Sequence, residues 1–192
     1  MAKQFIDSMP NKSLFGRLFG HSSKQETVQS RAEGGNADAQ FSLGVHCASN
    51  KETADYPLAI EWYLKAAEQN HVLAQFNLGV MYANGQGVLP SEHEAEIWFD
   101  RAARQQDPGA QHYLGMSHYR ASFKGTPRQV HESRIEAYKW FALAAALGYQ
   151  NSDSTRDQIA LKMSHEDLAE AALRIDKFLL SNRAKALAHK TA

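Results

Sequence analysis

Nine histidines and a single cysteine are the side chains that first invite a metal-binding or catalytic reading. His-Glu pairs occur at His93-Glu94, His131-Glu132 and His165-Glu166. A zinc-binding His-Glu-x-x-His needs a second imidazole four residues after the first, on the same helical face. Ile97, Ile135 and Ala169 stand there instead. His112 and His118 do not share a face at their spacing. His46 beside Cys47 is one adjacent pair, short of four ligands at zinc spacing. Cys47 reads as a buried structural thiol rather than a nucleophile. Gly85-Gln86-Gly87 has the look of a phosphate-binding turn, but the third glycine of a dinucleotide fingerprint would fall at Pro90, and no strand precedes it. The acidic pairs read as solvated helix faces, not as carboxylates set opposite each other for acid–base work. No catalytic residue, metal set or cofactor motif is therefore expected, and the chemistry left is recognition.

The elements that would carry such a surface are legible from a repeat. Ala59, Trp62, Ala66 and Ala67 recur as Ala95, Trp98, Ala102 and Ala103, and again as Ala137, Trp140, Ala144 and Ala145. The step is 36 residues between the first two copies and 42 between the last two, which marks a repeat architecture with one enlarged loop, placed at Ala121 to Glu132. Each copy resolves into two helices. Helix A carries Ala39, Leu43 and Gly44 in the first copy, Ala74, Leu78, Gly79 and Tyr82 in the second, and Ala110, Leu114 and Gly115 in the third, at the four-residue step of one helical face. The second stops at Asn84-Gly85-Gln86-Gly87, where glycine tolerates left-handed backbone. Helix B restarts at a capping residue: Asp55 followed by Pro57, Ser91 with Glu94, and Ser133 with Glu136. Its exits fall at Asn70, Gln106 and Gly148; Gln106 is a poor left-handed cap, so Asp107-Pro108 is expected to supply the stop. The tryptophans are expected in the core, filling the gaps between helices that small alanines hold close.

Outside these copies, residues 23–35 read as a degenerate helix B of a preceding half-repeat. Residues 152–180 read as a closing helix pair, the last helix capped at Ser164 and bearing Leu168, Ala172, Ile175 and Leu179. The repeats span about 36–70, 71–106 and 107–148. Residues 1–22 are expected to be a flexible N-terminal segment and 181–192 a tail. Leu14, Phe15, Leu18 and Phe19 share a helical face beside Lys12 and Arg17, which suits an amphipathic anchor, a transit peptide or a loosely held terminus.

Composition narrows the function classes. Lys plus Arg equals Asp plus Glu at 21 each, so net charge gives no argument for nucleic acid or for an anionic membrane. Membrane contact is expected only through residues 1–20. The longest apolar run, Trp140 to Gly148, is too short to span a bilayer. The first twenty residues lack a secretory h-region, and one cysteine allows no internal disulfide, so a cytoplasmic location is expected.

The set Ala-x-x-x-Leu-Gly-x-x-Tyr, Gly-x-Gly-Val and Ala-x-x-Trp-x-x-x-Ala-Ala resembles the Sel1-like repeat family, relatives of tetratricopeptide repeats. The second copy carries it nearly whole; the first has Cys47 and the third His118 at the tyrosine position. The stretch from Arg156-Asp157 through Met163 to Ala172 resembles the end of many bacterial members. The resemblance implies an all-α, right-handed α-solenoid of helical hairpins with a C-terminal capping helix pair, acting as a protein–protein interaction scaffold or adaptor. By analogy, its concave groove is lined by Phe41, Val45 and Ser49, then Phe76, Val80 and Asn84, then His112, Met116 and Arg120. Such a groove runs from aromatic and apolar to basic and suits a partner protein or peptide with apolar anchors. Phe41 and Phe76 have an equally good role packing between repeats, and the Phe123, Lys124, Pro127 and Arg128 loop is a second candidate surface. Two alternatives stand beside the adaptor. One is a small-ligand-binding or hydrolytic Sel1-like protein, although those resemble cysteine-rich secreted chains. The other is a membrane-associated regulator anchored by residues 1–20.

Overall fold

A computed structural model describes residues 27–49 and 54–188. They form α1 (Val28–Glu33), α2 (Ala37–Ser49), α3 (Tyr56–Glu68), α4 (Val72–Asn84), α5 (Glu92–Arg104), α6 (Pro108–Ala121), α7 (Pro127–Ala146), α8 (Ser152–Ala160) and α9 (His165–Ala188). Antiparallel hairpins α2–α3, α4–α5 and α6–α7 pack in succession, α3 on α4 and α5 on α6, giving an all-α solenoid. The first 26 residues, with Leu14, Phe15, Leu18 and Phe19, lie outside the described residues.

Local chemistry starts most of the helices. The Asp55, Ser91 and Asp107 side chains accept from the backbone N–H of Leu58, Glu94 and Ala110 at 3.0, 3.2 and 2.7 Å. The reciprocal bond expected of Glu94 is found elsewhere: Ser164 and Asp167 exchange both capping bonds. At the other end, Asn70, Gln106 and Gly148 all adopt positive φ, at 65°, 67° and 76°. Gln106 thus takes the left-handed turn it was expected to avoid. The turn aims the next N–H, from His71, Asp107 and Tyr149, back at the carbonyl of Ala66, Ala102 and Ala144 at 3.1, 3.1 and 3.0 Å. That bond satisfies an orphan carbonyl at the helix end, which offsets a strain of about 1–2 kcal/mol for a residue with a Cβ.

Three expectations are corrected. The enlarged loop is mostly helix: α7 begins at Pro127 and Ser133 lies inside it. Thr126 and Gln129 form the capping box, with proline in the first turn, so a cap exists seven residues earlier than the repeat pattern puts it. The last helix buries Asp167 and Ala171, half-buries Leu168, Ile175 and Phe178, and leaves Ala172 and Leu179 exposed. Two contacts set that register: Phe178 stands edge-on to Trp140 at 5.4 Å, and Arg174 reaches Glu136 at 2.8 Å and also Glu132. The helix continues through Ala188, past the expected end at 180. Finally, Trp98 and Trp140 are buried but Trp62 is only partly so. Trp98 packs into the first repeat's cluster and Trp140 into the second's. Among the described residues the six-residue α1 is all that precedes the first repeat, and the Lys65 ammonium covers the Trp62 ring at 4.1 Å.

Two further regularities hold the stack. The aromatic residue after each tryptophan lies on the helix A glycine: a Cβ on Gly44, Gly79 or Gly115 would come within 2.6, 2.8 or 3.0 Å of the Tyr63, Phe99 or Phe141 ring. Each helix A also buries a glutamine whose Nε2 donates to the last alanine carbonyl of the preceding helix B: Gln40 to Ala32, Gln75 to Ala67 and Gln111 to Ala103, at 3.0, 3.0 and 3.2 Å. The Oε1 of Gln40 and of Gln75 accepts from Gln69 and Gln105, both at 2.8 Å. In the third rung Leu147 occupies the donor's place, and Gln111 Oε1 is buried with no partner.

Candidate functional site

The helix A residues two after each repeat alanine are Phe41, Phe76 and His112, and the packing treats them differently. Phe41 stacks on the His71 ring at 4.5 Å and tilts against Tyr63 at 5.8 Å, so its face is already covered. Phe76 stands edge-on to Phe99 at 5.6 Å. The next helix meets it with Gly109, where a Cβ would fall 2.8 Å from the Phe76 ring. Asp38 and Leu73 fill that repeat position elsewhere, so Gly109 is what lets α6 approach Phe76. His112 lies between Phe141 and Tyr149, its Nδ1 2.8 Å from the Ser152 hydroxyl.

Between the second and third repeats this leaves a hollow of about 230 Å³. Phe76 and Val80 of α4 form one wall, and His112, Met116 and Arg120 of α6 form the other. Phe99 and Tyr113 also line it, stacked at 3.9 Å, with Tyr149 at one end. Five of the eight candidate residues therefore meet in one place. The other three do not join them: Phe41 is engaged in packing, Val45 is exposed beside it, and Asn84 ends α4 at the left-handed Gly85 cap. Ser49 is also apart, donating to the His46 carbonyl at 3.0 Å. Val80 is shared with a neighbouring hollow of about 210 Å³ that Tyr63, Asn77 and Met81 line. Phe99, Gly109, Tyr113 and Tyr149 are site residues that the search by repeat position missed. A glycine at Gly109, where the other copies have larger residues, was the available signal.

Electrostatics at the hollow are lopsided. Arg120 pairs with Glu92 at 3.2 Å, and both side chains are more than half exposed. Such pairs are worth about 0–1 kcal/mol, so the guanidinium is free to exchange its partner for another carboxylate. Burial pushes the His112 imidazole below its usual range, which keeps it neutral at pH 7. On the far side of Arg120 lies a larger hollow of about 470 Å³, lined by Glu92, Glu96, Ser117 and Lys124. Two of its carboxylates are already engaged, Glu96 by the Ser117 hydroxyl and Glu92 by Arg120. The apolar hollow is thus the better recognition site despite its smaller size.

The reactive side chains fall elsewhere. Burial, with the Asp55 charge, pushes the Cys47 thiol above its usual range, away from the thiolate a nucleophile needs. Burial pushes His118 down against the opposing pull of Glu136 and Glu96. Among the described residues, no three His, Cys, Asp or Glu side chains are grouped to hold a metal ion. None of their helices is long and apolar enough to cross a membrane.

Comparison with known proteins matches these hairpins. The chain is 32% identical over 133 residues to the chitin synthase regulator SKT5 of Malassezia restricta; the match covers 67% of this chain and 9% of the relative's length. Among solved structures it is similar to a Sel1 repeat protein from Oxalobacter formigenes, at 30% identity and a TM-score of 0.57 over 68% of this chain and 95% of that one. It is also similar in fold to c5321, a protective antigen of uropathogenic Escherichia coli, at 24% identity and a TM-score of 0.59 over 85% and 42% of the two chains. A Sel1 repeat model matches residues 37–71, 72–107 and 108–149, one hairpin each. The chain belongs to the Sel1 repeat family.

Proposed function

We propose that the protein is a cytoplasmic, non-catalytic adaptor that binds a partner protein or peptide at the helix A face, with the hollow between the second and third repeats as its anchor site. Sel1 repeat proteins generally mediate protein–protein interaction. The observation that carries the reading for this chain is the hollow lined by Phe76, Val80 and Met116, an apolar cleft with Arg120 at its rim. A buried apolar anchor gives affinity, and a polar rim gives orientation. An apolar side chain entering there would displace water from Phe76 and Met116 while an acidic neighbour takes Arg120 from Glu92.

Affinity capture with mass spectrometry tests it, comparing wild type with the Phe76→Glu/Met116→Glu variant after circular dichroism has shown that the variant folds. Partners captured by wild type and lost by the folded variant are expected. Equal capture by both would move the site off this hollow. A small molecule retained by wild type, with no protein partner, would favour the ligand-binding alternative.

A further inference from the structure

We propose that the edge of the solenoid formed by the turns from helix A to helix B is a contact surface for an anionic lipid bilayer. In a stack of antiparallel hairpins, successive turns of one kind line one edge. Three such turns each present an exposed apolar side chain: Leu89 between α4 and α5, Phe123 between α6 and α7, and Leu161 between α8 and α9, at 88%, 63% and 88% exposure. The last two turns touch, the Lys162 ammonium lying 5.8 Å from the Phe123 ring centroid. These tips protrude and line none of the hollows described above, so they suit a planar surface better than an extended peptide.

The second observation is charge. Lys124, Arg128 and Lys162 form no ion pair among the described residues, and Arg134 gives a hydrogen bond to the Lys162 carbonyl at 2.9 Å. On α7 and α8, Glu132 is taken by Arg174 and Asp157 by Arg156, while Asp167 of α9 accepts from the Ser164 N–H and faces the His131 imidazole. Glu166 on the first turn of α9, and Glu94 on the first turn of α5 after Leu89, have no basic partner among the described residues. A chain with zero net charge therefore keeps an edge where unpaired cations outnumber unpaired acids around Phe123 and Leu161. Aromatic and leucine tips at headgroup depth, ringed by cations at phosphate level, are the chemistry of reversible binding to anionic membranes.

Vesicle co-sedimentation of the full chain tests this independently of the adaptor reading. Binding is expected to phosphatidylserine–phosphatidylcholine vesicles and not to phosphatidylcholine alone, and it weakens as salt rises. Lys124→Glu/Lys162→Glu is expected to weaken partitioning by about tenfold or more. Phe123→Ser/Leu161→Ser should weaken it with an unchanged melting temperature, because both side chains are exposed. Lys177→Glu/Arg183→Glu, on the half of α9 that reaches Gln106 at the opposite edge, should change nothing. Equal binding by every variant overturns the proposal. So does loss confined to Leu14→Ser/Phe15→Ser/Leu18→Ser/Phe19→Ser, which assigns the contact to the N-terminal stretch. Binding to a polyglutamate peptide with the same variant dependence, but to no vesicle, also overturns it and makes the edge a protein contact.

Discussion

The second and third repeats are built on one plan and part company at a few positions. Both bury alanines and a tryptophan in helix B, lay an aromatic ring on a helix A glycine, and end helix B in a left-handed turn. The second closes its glutamine rung with Gln105; the third puts Leu147 there and leaves Gln111 Oε1 unsatisfied. The second has Leu73 and Phe76 where the third has Gly109 and His112. What recurs holds helix to helix. What differs shapes the hollow between them.

The recurring parts should break hardest. Trp98→Ala and Trp140→Ala are each expected to cost roughly 3–5 kcal/mol by leaving a cavity, while Trp62→Ala costs clearly less because that ring is only partly buried. Denaturant unfolding of the three variants checks the ranking, and equal losses would mean that Trp62 is covered as fully as Trp98 and Trp140. Next, Gly79→Ala should destabilise by about 1–3 kcal/mol, because its methyl meets the Phe99 ring at 2.8 Å. Gly115→Ala, at 3.0 Å from Phe141, should cost somewhat less. Thermal melts read both, and a neutral Gly79→Ala would show that the ring yields.

The repeat, its hairpins and most helix caps were legible in the sequence because they rest on local chemistry recurring at a fixed step. The start of α7 was not, because the pattern places a cap at Ser133 while Thr126-Pro127-Arg128-Gln129 supplies an earlier one. The buried face of α9 was not legible, since Phe178 and Arg174 are oriented by partners on α7 that lie far away in sequence. The hollow was half legible. Phe76, Val80, His112, Met116 and Arg120 follow from repeat register, but its opening depends on Gly109, which acts through space. The glutamine rungs were visible as Gln40, Gln75 and Gln111 in equivalent places; their polar type concealed that they are buried.

Finer differences between the two repeats are also testable. Leu147→Gln would supply the missing donor to Gln111 and should stabilise by about 0.5–1.5 kcal/mol, read as a raised melting temperature. The same change with Gln111→Leu should lose that gain, and a gain that survives would rule out the rung as its source. The smallest effect is on acid stability. His112 and His118 have folded-state proton affinities lowered by burial, so above the unfolded value of 6.5 both states hold them neutral and stability is full. As pH falls below that value the unfolded chain takes up protons first, and stability drops until the folded values are passed. Stability measured across that window should decline less for His118→Gln than for wild type.

The central claim is that the helix A face between the second and third repeats holds the partner. Backbone amide exchange of the chain, alone and with its captured partner, tests it most directly. Slowed exchange in α4 and α6, around Phe76 and Met116, with the outer faces of α3 and α5 unchanged, is the predicted footprint. Protection confined to those outer faces, or to the turns bearing Phe123 and Leu161, would contradict it.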